Sequence, residues 1–170
     1  MACALTQDFT LDCRDAVGGL KEVYFIELDN ISSYTESSGT ISAITKASGK
    51  VFRKWSLVTD TSSVTETITG SRANGSIFYA QAMQIIVNKM RVAVRNEIKL
   101  MAQNRLVAVA VTMEGTAFLL GKENGLMLEG GSGASGTAMG DRNGYQLDFA
   151  GMEKEPMFVV ASGVISTLQS

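Results

Sequence analysis

Hydrophobic and polar positions alternate in short runs along the first half of the chain, with glycine, serine and aspartate interrupting them at close intervals. That rhythm predicts strands and not helices. Phe9, Leu11 and Cys13 alternate with Asp8, Thr10 and Asp12, and the stretch from Asp15 to Gly19 supplies a turn. Val23 to Leu28 is apolar on nearly both faces, which suits a strand sandwiched in a core or covered by a neighbour. Asp29, Asn30 and Ser32 end it.

Hydroxyl residues dominate from Ser33 to Gly75, where Thr40 to Thr45, Val51 to Val58 and Val64 to Thr69 alternate in extended fashion. One face of each of these strands is too polar for a core. The segment from Trp55 to Asn74 therefore reads as a long hairpin or loop pair, with a tip around Asp60 to Ser63 that projects from the body. So polar an arm is poorly ordered alone and needs a partner. Deleting Thr59 to Thr65 is expected to spare the core and block polymerisation.

Residues 77–88 read either as a strand, alternating through Ile77, Tyr79, Met83, Ile85 and Val87, or as part of a longer helix, and the division is placed near Asn88 and Lys89. Beyond it Met90, Val94, Ile98 and Met101 recur at helical spacing, predicting an amphipathic helix over about 90–103 that stops at Asn104. Leu106 to Val111 is a wholly apolar run suited to a central strand, and Thr116 to Leu120 returns as its hairpin partner through Glu114 and Gly115. The last third reads as three strands, joined by a glycine-rich loop over 130–136 and by a turn from Gly151 to Pro156. The expected fold is mainly β, a β-sandwich or barrel in a single domain over 1–170, with one flanking α-helix and a long projecting hairpin or loop arm.

Composition narrows what such a body can do. A formal charge of −2 with 15 Lys and Arg gives no basic surplus for gripping phosphates. Met1 to Asp8 lacks a basic region followed by an apolar run, and no stretch approaches the roughly 18 apolar residues of a membrane span. Folding in the cytosol without membrane insertion is expected. There is no histidine, which removes Ser-His-Asp and Cys-His nucleophile pairs and leaves Cys3 and Cys13 unable to complete an ordinary zinc site. Free thiols, no metal, no cofactor and no enzymatic activity are expected.

The apparent motifs fail on context. Gly131 to Gly136 spells G-x-G-x-x-G, but two further glycines and no helical face follow, and Thr137 stands where a phosphate-binding loop needs lysine. Asp141 to Gly144 has alternate oxygens beside a glycine without the glutamate of a calcium loop, so a turn with Asn143 and Gly144 in left-handed geometry is expected. Glu153 and Glu155 flank Lys154 and read as a solvated turn, not an acid–base pair. The nine methionines are spread through every kind of segment and read as core or subunit contacts.

From Thr67 onward the order of elements resembles phage tail-tube and related virion structural proteins. It is carried by Thr67 to Ser71, the strand from Phe78 to Val87, the helix, Arg105 to Val109, Gly121 and Gly125-Leu126, and Gly140 to Leu147. Leu11 to Glu22 is also similar to structural proteins of phages infecting Bacteroidetes. The resemblance implies a small barrel or sandwich that self-assembles into hexameric rings, stacked as a hollow tube through which DNA leaves the capsid. It places the protein in the virion tail, assembled in the host cytoplasm. Its partners would be itself and other tail or neck proteins, with DNA only in transit. Candidate assembly contacts are Trp55, Val58, Asp60, Val64, Glu66, Tyr24 and Ile26, and candidate lumen-facing residues are Glu66, Asp60, Glu153 and Glu155. A head–tail connector ring, tail terminator or capsid decoration protein is the alternative, and a small-ligand-binding domain or enzyme is a third.

Overall fold

Alternating β-branched and aromatic residues extend eleven strands among the described residues, and these pair into two sheets. The computed structural model describes residues 5–170, so Cys3 and the first part of the Met1 to Asp8 stretch lie outside the described residues. Strands are numbered in chain order. In spatial order the larger sheet runs β2 (Ile31–Ser37), β3 (Thr40–Lys46), β11 (Phe158–Val160), β8 (Ala117–Leu120), β7 (Leu106–Thr112), β1 (Leu20–Glu27) and β4 (Arg53–Ser56). The smaller runs β5 (Ser63–Ser71), β6 (Ser76–Asn88), β10 (Gly144–Glu153) and β9 (Met127–Ala134). Every pairing is antiparallel except β11 with β3. Both sheets stay open, so the body is a sandwich and not a closed barrel.

Two cores follow from this layering. Between the sheets, Val23, Phe25, Ala108 and Leu120 meet Met83, Ile85, Leu147 and Phe149, with the Phe25 and Phe149 rings 5.1 Å apart. On the far face of the larger sheet, Tyr24, Ile26, Val107 and Val109 pack under Ile41, Phe52, Val164 and Leu168. The strands that read as apolar on both faces, β1 and β7, are the ones shared by the two cores. The second core is closed by the chain's end, where the short helix α2 (Ser162–Ile165) sits and the Phe52 amide donates to the Leu168 carbonyl at 2.9 Å.

The flanking helix α1 (Val92–Gln103) forms as its periodicity predicts and stops at Asn104, whose side chain donates to the Leu100 carbonyl at 2.9 Å. Its burial is slight: Met101 alone is buried, Val94 and Ile98 are half-buried, and Met90, before its start, is exposed.

Four local expectations are overturned. The Phe9–Cys13 alternation makes no strand; residues 5–18 join neither sheet and are exposed. The glycine-rich run is not a loop, because Gly130 to Gly133 pair with Asp148 to Tyr145 as strand β9. Glycine is needed there: a Cβ at Gly131 would lie 2.6 Å from the Gln146 carbonyl oxygen, and one at Gly133 would lie 2.8 Å from the Tyr145 ring. Asn143 and Gly144 are not left-handed; Gly144 is required because a Cβ would run into the Val87 carbonyl. Finally, Asp60 to Ser63 is not the tip of an arm. Ser62 is buried and its Oγ accepts a hydrogen bond from the Ile86 amide at 3.2 Å, while the true tip of the β5–β6 hairpin is 72–75.

Candidate assembly surface

The smaller sheet ends in two strands, β5 and β9, each paired on one side only among the described residues. A bare edge exposes a row of backbone donors and acceptors that can pair with another chain. β5 and β9 are 9 and 8 residues long, so the two edges match in length. Along the order β5-β6-β10-β9 each strand runs against its neighbour. A second copy set beside the first in the same orientation would present its β5 antiparallel to the first copy's β9, continuing the alternation.

The two faces of this sheet differ in kind. Val64, Met83, Ile85, Leu147 and Phe149 turn inward to the core, and alternation turns Thr65, Thr67, Ala80, Ala82, Gln146 and Ala150 outward. Asp148 also lies on the outer face, where it accepts a hydrogen bond from the Gln84 amide at 2.8 Å. The result is a mostly uncharged face, on which small side chains mix with Ile86 and the exposed Met152 and Met127. Exposed Ile68 lies at the last level of β10, opposite Tyr79, and beyond it the hairpin continues through the pairs Thr69–Phe78 and Gly70–Ile77, where Ile77 is exposed.

The residues expected at an assembly surface scatter across the fold. Tyr24 and Ile26 are buried in the second core, so their two-faced strand is satisfied within the chain. Val64 and Glu66 sit on the inner face of β5, where a Glu66 oxygen accepts from the Met157 amide at 2.6 Å. Val58 and Asp60 are exposed on the connection between the sheets, with Asp60 at φ +61°. Trp55 is half-buried, its ring edge-on to Phe25 at 6.1 Å.

Of the lumen candidates, Glu153 is also turned inward. It is buried, and its carboxylate accepts from the backbone amides of Asn124 at 2.9 Å and Glu123 at 3.3 Å, shaping the 121–125 loop. Burial pushes the Glu153 carboxyl up, against those amides, which pull it down. Glu155 is half-buried beside Lys122, 3.5 Å away, and Lys122 also pairs with Glu36 and lies over the Phe158 ring at 4.0 Å. On the larger sheet, burial alone would raise the Glu22 carboxyl, but Lys54 at 2.6 Å and the Tyr24 hydroxyl at 2.8 Å hold it below its ordinary value.

Helix α1 leaves space on both sides of itself. A cleft of about 350 Å³ lies between Ile98 and the glycines of β9, and a groove of about 450 Å³ runs between α1 and β4. In neither does a lining hydroxyl hydrogen-bond to a lining carboxylate or lysine among the described residues. Among the described residues no three acidic or cysteine side chains gather as a metal site, and no helix is long and apolar enough to cross a membrane.

The chain matches no family model, no curated protein and no solved structure. Its surface must therefore be read from its own residues. Which strands form the open edges of the smaller sheet was not legible in the sequence, because pairing partners are set by long-range topology. The alternation in β5 was visible, but nothing local marks a strand as an edge.

Proposed function

We propose that this chain is a virion structural subunit of the tail-tube type, which assembles with copies of itself into rings that stack as a tube for DNA ejection. One observation carries the reading: among the described residues the smaller sheet has two unpaired edges of similar length in an even, fully alternating order. Joining the β9 edge of each copy to the β5 edge of the next is a head-to-tail contact, and such contacts close into rings when the rotation per copy allows. The larger sheet covers the inner face of the smaller, and the wider layer belongs on the outside of a ring. That puts the outer face of the smaller sheet on the lumen. Its threonines, alanines and glutamines carry no positive charge to hold phosphates, so DNA passes without sticking. The lumen lining passes from Glu66 and Glu153, which face the core, to Thr65, Thr67, Ala82 and Gln146.

The edge is testable where it is apolar and free. Ile68 on β5 is 63% exposed, so Ile68→Lys leaves the subunit folded while placing a charge at the pairing edge. Sedimentation velocity should show large discrete assemblies for the unaltered protein and a shift toward single subunits for Ile68→Lys. Unchanged assembly in the variant would contradict pairing through this edge.

A further inference from the structure

Rows of paired residues cross the smaller sheet, and its two edges are staggered along them. One row is Val64, Met83, Phe149 and Leu128; Ile68, Tyr79 and Glu153 form another, which β9 does not reach. A neighbouring copy set level with the first would pair only Ser63 to Thr65 with Gly130 to Met127 and leave the rest of β5 overhanging. Inner side chains must also stand beside inner ones, so only an even shift is allowed. A shift of two sets Gly133 opposite Ser62, whose Oγ already accepts from the Ile86 amide. A shift of four pairs β9 along its length with Ser63 to Thr69, setting Leu128 opposite Ile68, Gly131 opposite Glu66 and Ser132 opposite Thr65. In its own copy Ile68 is level with Glu153 and Leu128 with Phe149, four residues apart on β10. Four residues over the four strands of one copy is one per strand, the shear of a barrel whose strands tilt by about 36°. A shift of six demands a steeper tilt than barrels ordinarily take.

That shift gives an exposed side chain a seat. Ile68 shares the inner face of β5 with Val64 by alternation, yet it is exposed. The 350 Å³ cleft between α1 and β9 opens on the same inner face, where Ile98 and Leu128 line it beside Gly131 and Gly133, which have no side chains. The chain's own Ile68 cannot fill this cleft. β5 and β9 are opposite edges of one sheet with β6 and β10 between them, about 14 Å apart.

Charge favours the same arrangement. Arg72 is the one charge at the hairpin tip, and it has no ion-pair partner among the described residues. It stands four residues past Ile68, so the shift brings it level with the neighbour's Glu153, beside the 121–125 loop. There Glu36, Glu123, Glu153 and Glu155 stand against Lys122 and Lys154, with Glu123 exposed on the loop.

We infer that adjoining copies pair β9 with β5 four residues out of level, so that Ile68 of one copy enters the α1–β9 cleft of the next against Leu128 and Ile98, with Arg72 beside Glu123. This rests on the β5–β9 pairing proposed above and adds its register and its seat.

Cysteine pairs read the register directly. Full-length chains carry Cys3→Ser, Cys13→Ser and Ser132→Cys, together with Thr65→Cys for a shift of four, Ser63→Cys for two or Thr67→Cys for six. All four tested positions are exposed and lie on the outer face, and the two in one chain are on opposite edges, too far apart to join within it. After mild oxidation a non-reducing gel should show a ladder of linked chains for the Thr65→Cys pair and little for the other two. Ile68→Ala should leave the thermal transition of dissociated subunits unchanged while weakening self-association about tenfold. That loss should shrink when Ile98→Ala is already present, as for side chains in contact. A ladder from the Ser63→Cys or Thr67→Cys pair in place of the Thr65→Cys pair would overturn the register and leave the β5–β9 pairing standing. No ladder from any of the three would overturn both.

Discussion

Glu153 shows how one residue's setting decides its role. In sequence it is the first of two carboxylates around a lysine near a turn, and in the fold it is buried under the 121–125 loop. Its carboxyl is raised from the ordinary 4.5, so the folded chain holds its proton to higher pH than the unfolded chain does. The stability it contributes is fully present below the ordinary glutamate range and lost as pH rises through the raised folded value. Glu22 works in the opposite sense, since its lowered carboxyl contributes above the ordinary range and loses that contribution as pH falls. Glu153→Gln isolates the first effect. Urea unfolding from about pH 4 to 7 should show the unaltered protein losing stability relative to the variant as pH rises. A pH-independent difference between the two would count against a buried, raised carboxyl.

At the scale of elements, what the sequence revealed depended on whether local side-chain periodicity carried the information. β1, β7 and α1 were legible because Val23 to Ile26, Leu106 to Val111 and the Val94–Ile98–Met101 spacing each report their own environment. β9 was not, because glycines have no side chain to show a period; the reason for them lies in Tyr145 and the Gln146 carbonyl on another strand. The arm was half legible. A hairpin exists, but it joins polar β5 to the largely apolar β6, and the stretch at Asp60 to Ser63 is the crossing from one sheet to the other. Deleting Thr59 to Thr65 therefore should not spare the fold. It removes the Ser62 acceptor of the Ile86 amide and the Val64 side chain from the core between the sheets. Circular dichroism with thermal melting should give a broadened, lowered transition, and a wild-type transition would contradict this placement.

For the whole molecule, two cores back to back cover both faces of the larger sheet, while the smaller sheet is covered on one face only, and among the described residues both sheets end in strands paired on one side. A monomer gains nothing from that asymmetry, and edge strands left so open favour association. On the proposed reading, closing the smaller sheets of several copies into one continuous barrel would pair the β5 and β9 edges and make a channel lined mostly by uncharged side chains, with Asp148 as an acid among them. Negative-stain electron microscopy of the purified full chain tests this most directly. Closed rings with a central hole, stacked into tubes and sixfold in projection, are the expected result. Single twelvefold rings would indicate a connector instead, and uniformly monomeric particles at high concentration and physiological salt would contradict assembly through the sheet edges altogether.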